Sequence, residues 1–228
     1  MNAENERKWG VAVWLGALFT MLILVGGLVI GVFFGSLLNE SLPMHVPEAT
    51  RSLFSALPVL GTLAFAGACW GYVLGRVTGS PYRKRMALAG GLCYGLAIIL
   101  VALSLTFLEV QIVEKGLGPD IQVHNLYTLL FVPGTFIVAA AGSLGLGLAN
   151  KKLNLAIRLA IFAGLASAAS FLIINLTMDA LGWRVGAPGA AERATMLTVT
   201  LVGCLGAALA GGAVTSLLLR KEYLPQPV

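Results

Sequence analysis

Charge is scarce in this chain. Of its 228 residues only 11% are Asp, Glu, Lys or Arg, where a soluble globular domain carries about 25%. With 58% hydrophobic residues and a mean hydropathy of +0.89, that deficit argues against a soluble enzyme, a nucleic-acid-binding domain and a disordered chain. Histidine is nearly missing. His45 and His124 are the two, and both fall between apolar runs, so no pair of imidazoles is available to ligate a haem inside a bundle. Cysteine is sparse as well. Cys69, Cys93 and Cys204 all lie within apolar runs and form no CxxC. A disulfide scaffold and a thiolate metal site are therefore not expected, and the three thiols read as small buried hydrophobes. No apolar run carries a central Asp, Glu, Lys, Arg or His. Proton-relay pumps, voltage sensors and carboxylate-driven antiporters need such groups at depth. No nucleophile–base pair, metal-ligand set, phosphate loop or dinucleotide fingerprint is present, so catalysis is not expected and no cofactor follows from the sequence.

What the chain has in quantity is apolar sequence. Six runs, at about 9–37, 53–75, 86–112, 126–149, 156–178 and 195–219, meet the roughly 20 residues needed to cross the hydrocarbon core as helix. In lipid every backbone N–H and C=O needs an internal partner, and none of the runs alternates as a barrel strand would. The expected fold is all-α: a polytopic membrane protein, residues 1–228 forming a single domain of six transmembrane helices arranged as three hairpins. The first run is too long for a signal-peptide core and reads as a retained anchor.

The basic residues set the orientation. Arg7, Lys8, Arg76, Arg83, Lys84, Arg85, Lys151, Lys152, Arg158, Arg220 and Lys221 fall on one side, while Arg51, Lys115, Arg184 and Arg193 fall on the other. Acidic residues divide the opposite way. By the positive-inside rule the richer side faces the cytoplasm, so both termini are expected inside, in a multi-pass protein of the plasma membrane, the inner membrane of a bacterium. The net charge of +5 is thus a topology signal, and no nucleic-acid partner is expected.

Small residues repeat every four positions. Gly27, Gly31 and Gly35 line the first run, Gly67, Gly71 and Gly75 the second, and Gly91 and Gly95 the third. Residues four apart share a helix face, and a glycine face lets two helices approach closely where lipid offers no hydrophobic drive. These glycines are expected to pack helices, either within the bundle or against another membrane subunit or a second copy. Trp70, Tyr72 and Tyr94 lie in the half of their helices nearer the basic loops and are expected to pack.

The remaining polar residues collect near the opposite, outer ends. Glu40, Glu109 and Asp179 each stand near the end of an inside-to-outside span, where an acid opposes the helix dipole and calls for a compensating partner. Glu109 is flanked by Phe107, Leu108, Val110 and Ile112. Gln111 and Asn175 lie at similar depth, and His45 and His124 could close the group from the loops. Pro58 and Pro133 fall in the outer thirds of two spans, where a kink can splay a bundle. Glu40, His45, Glu109, Gln111, His124, Asn175 and Asp179 are therefore the candidate ligand-binding residues of an outer vestibule. Two functions remain. One is a non-catalytic membrane subunit that packs through glycine-rich faces within a larger complex. The other is a small-solute binding or transport subunit with a polar pocket on the outer side.

Overall fold

The computed structural model describes residues 48–114, 123–182 and 190–223, together with scattered residues of the first apolar run between 14 and 43. Side chains are described for most of these, but not for 48–53, 55, 56, 59, 102, 103, 105–114, 123–129 or 190–197. Beyond the scattered helical residues of the first run, five long helices follow in order: α1 (Glu48–Val77), α2 (Arg83–Glu114), α3 (Val123–Ala149), α4 (Leu153–Ala180) and α5 (Ala190–Tyr223). The described residues form helices joined by turns, with no strand among them. Four helical stretches, Arg83–Val101, Leu130–Ala149, Leu153–Ala180 and Thr198–Tyr223, are long and apolar enough to cross a membrane. The described residues thus form an all-helical array of the kind a membrane protein has.

Each helix packs on the next in sequence, and α5 returns against α3. The α1–α2 contact shows how. A methyl group placed on Gly67 would lie 2.9 Å from the Gly90 carbonyl oxygen, one on Gly90 would lie 2.5 Å from the Gly67 carbonyl oxygen, and one on Gly71 would overlap the Met86 carbonyl. Gly91 and Gly95 meet Ala64 and Ala68. Backbone thus rests on backbone along this interface, the arrangement that small residues permit in lipid. The opposite side of α2 presents Leu88, Leu92, Leu96 and Leu100 outward, one row at four-residue spacing. Aromatic rings fill notches left by other glycines. Tyr94 lies over Gly142 of α3, and Trp70 of α1 lies against Gly212 of α5. Tyr72, by contrast, is exposed.

Between α3, α4 and α5 the interior is short and polar. Ser143 and Thr215 exchange a hydrogen bond of 3.0 Å, and Thr215 also donates to the Gly211 carbonyl at 2.8 Å. Ser167 donates across the helix pair to the Ala207 carbonyl at 2.8 Å. Buried hydroxyls are tolerable here because each has an acceptor at hand.

The largest apolar cluster draws on all five helices: Trp70 and Leu74, Met86, Leu146, Leu155 and Leu159, and Leu219. It lies where α1, α3 and α5 end and α2 and α4 begin. That is also where Lys and Arg concentrate, and it is called the basic end below.

Candidate functional site at the basic end

Two tight connections meet at this end. Helix α1 stops in a Schellman motif: Gly79 takes φ +69°, its N–H donates to the Arg76 carbonyl at 3.3 Å, and the Ser80 N–H donates to the Gly75 carbonyl at 2.9 Å. Glycine suits the left-handed position, and the two bonds satisfy carbonyls that the helix leaves open. Helix α3 stops at Asn150 and Lys151, and Lys151 itself is left-handed at φ 59°.

These turns place Ser80 and Asn150 side by side. The Ser80 hydroxyl donates to Asn150 Oδ1 at 2.7 Å. Tyr223, at the end of α5, donates its hydroxyl to the same oxygen at 2.6 Å. The Asn150 Nδ2 donates to the Leu146 carbonyl at 2.7 Å, and the Tyr82 N–H donates to Ser80 Oγ at 3.2 Å. Ser80 and Asn150 are buried. One amide therefore ties three segments that are 70 and 73 residues apart in sequence.

Charge surrounds this latch. Lys152 Nζ pairs with Glu222 Oε1 at 2.5 Å, and that hydrogen bond raises the Lys152 ammonium above its ordinary pKa. Arg85 and Lys151 both lie over the Tyr82 ring, at 5.6 and 5.8 Å, and Lys152 lies over Tyr223 at 5.6 Å. Beside Ser80 opens a recess of about 270 Å³ lined by Gly75, Arg76, Gly79, Ser80, Pro81 and Arg83. Neither Arg76 nor Arg83 has a carboxylate partner among the described residues.

The arrangement braces three segments against one another, and its serine is not set beside a base. The Ser80 hydroxyl points its proton at an amide oxygen, which is not a base, and a serine needs a base to attack. Among the described residues no three His, Cys, Asp or Glu side chains converge as a metal site. The thiols of Cys69, Cys93 and Cys204 are free, and Cys93 packs its sulfur against Gly145 of α3. Compared with known proteins, the chain matches no family model, no curated protein and no solved structure.

The outer residues fare differently. Asn175 is buried, but its amide donates to the Phe171 carbonyl at 2.8 Å and packs against Gly203 of α5. It is part of the α4–α5 contact. Asp179 stands one turn further along the same face of α4 and is half-buried. Glu40 is exposed. Glu109, Gln111 and His124 lie on the backbones of α2 and α3, but their side chains are outside the described residues, and so is His45. Of the glycines of the first run, Gly31 and Gly35 are buried, and Gly27 is outside the described residues. Spacing and composition do not single out Ser80, Asn150 or Tyr223. Nothing in their local sequence marks them, since each is an ordinary turn or helix-end residue until the chain folds.

Proposed function

We propose that this chain is a non-catalytic integral membrane subunit, a six-span bundle of three hairpins with both termini in the cytoplasm, which holds its place in a larger plasma-membrane complex by helix packing. One observation carries the reading. The buried polar side chains Ser143, Ser167, Asn150 and Thr215 spend their hydrogen bonds on protein acceptors, and glycines bring α1 onto α2 backbone to backbone. An interior organised in this way keeps a shape and leaves no described polar group held ready for a substrate. The outward row Leu88, Leu92, Leu96 and Leu100 offers the apolar surface that either lipid or a neighbouring subunit's helix would cover.

Extraction from native membranes in a mild detergent, followed by a native gel, tests the proposal. The expected result is a discrete assembly larger than one chain, which dissociates in a harsher detergent. A lone monomer overturns the reading. A monomer that retains a stoichiometric small molecule would favour the outer-pocket solute binder instead.

A further inference from the structure

The recess at the α1–α2 turn faces an unbalanced charge. Helix α2 opens with Arg83, Lys84 and Arg85 and has no acid in its first turn. A helix N-terminus already carries a positive partial charge, so three cations there are unfavourably placed. Arg76, in the last turn of α1, comes to the same recess from the other side. The one acidic side chain described at this end, Glu222, is engaged by Lys152. The two helices meet closely at the base of the recess. Gly75 brings α1 so close to α2 that a methyl group on it would lie 2.7 Å from Arg83 Cα, whereas Gly79 has open space over it. Two guanidiniums without carboxylate partners among the described residues thus frame a recess at the point where two helices leave the apolar zone.

We propose that this recess binds a phosphate group, and specifically the phosphate of an anionic phospholipid headgroup. Guanidinium forks match phosphate oxygens in pairs. A lipid is favoured over a soluble anion because the acyl chains of a headgroup seated here would run along the face of α1 that carries Arg76, where Tyr72, one turn earlier, and Phe65, two turns before that, are exposed. The inference rests on residence in a membrane and is independent of the subunit reading.

The full chain, purified in a neutral detergent, is titrated with dioleoyl phosphatidylglycerol or dioleoyl phosphatidylcholine and read by native mass spectrometry. The wild type is expected to hold phosphatidylglycerol about tenfold more tightly than phosphatidylcholine, and R76Q/R83Q to lose most of that preference. K84Q/K221Q removes as much charge from the same end outside the recess, and is expected to change binding by less than about twofold. If R76Q/R83Q elutes as an aggregate, R76Q and R83Q are read singly, each weakening binding by about fivefold. Displacement of the lipid by excess inorganic phosphate would assign the site to free phosphate and overturn the lipid part of the proposal. The whole proposal is overturned if the two lipids bind alike, if the arginine variants bind as wild type, or if K84Q/K221Q weakens binding as much as R76Q/R83Q does.

Discussion

At Gly71 a single added carbon would overlap the Met86 carbonyl, whereas at Gly61, ten residues earlier on the same helix, it would meet nothing within 4 Å. The two glycines look alike in sequence and should respond oppositely. Gly71→Ala is expected to cost about 1–3 kcal/mol, the usual penalty for overpacking a rigid contact. Gly61→Ala should be neutral or stabilising by up to about 1 kcal/mol, because alanine is the better helix former. Thermal unfolding of the two purified variants checks this, and equal shifts would contradict the interface. Asn150 is the second sensitive residue. Asn150→Ala removes the acceptor of two hydroxyls at once and is expected to cost about 2–4 kcal/mol, since each buried donor left without a partner costs about 1–3 kcal/mol. Ser80→Ala, which leaves Tyr223 on the amide, should cost less in the same assay.

Helices and their pairings were legible to different degrees. Hydropathy located the apolar runs at 53–75, 86–112, 126–149, 156–178 and 195–219, and the helices that contain them extend several residues beyond at nearly every end. The reason is that backbone hydrogen bonding continues into the polar zone after hydrophobicity has stopped. Four-residue spacing marked Gly67 and Gly71 as a face, but it did not show that Gly90, one position before the spaced pair Gly91 and Gly95, is the residue that meets Gly67. Register between helices depends on rotation about each axis, and composition does not encode that directly. The α3–α5 contact yields a prediction of its own. A double-mutant cycle on Ser143→Ala and Thr215→Val should give a coupling of about 0.6 kcal/mol and no more than about 1.7, the range for hydrogen bonds between membrane helices. Between the α3–α4 turn and α5, the Lys152–Glu222 pair is solvent-exposed and should respond to pH and salt. A raised lysine pKa means the pair contributes fully below pH 10.5 and is lost as pH rises through the folded-state value. Melting curves of wild type and Lys152→Gln should therefore differ slightly near neutral pH, and converge both in strongly alkaline buffer and at high salt.

For the molecule as a whole, polarity was the most legible property and the site the least. The Lys and Arg residues with described side chains fall at or near helix ends that the structure gathers into one region, because alternating helix directions bring every second connection to the same end. The proposed orientation makes that end cytoplasmic. A variant with its native cysteines replaced and Lys84→Cys added should then react with a membrane-impermeant thiol reagent only after the cells are opened. Labelling in intact cells would reverse the topology. The latch at Asn150 could not be foreseen, because its three members, Ser80, Asn150 and Tyr223, come from two turns and a helix end that share no motif. The vestibule reading relied on residue type and depth alone, and these do not separate an amide that joins helices from one that meets a ligand. The buried Asn175 amide bonds the Phe171 carbonyl.

The latch also sets a timetable. Ser80 and Asn150 are synthesised before Tyr223, which is the final residue of α5. Until then the shared oxygen waits half-used, with Ser80 as its one hydroxyl donor. A nascent chain stalled before this point would present an unfinished bundle to membrane proteases, so a stop codon in place of Tyr223 should shorten cellular half-life in a pulse-chase far more than Tyr223→Phe does.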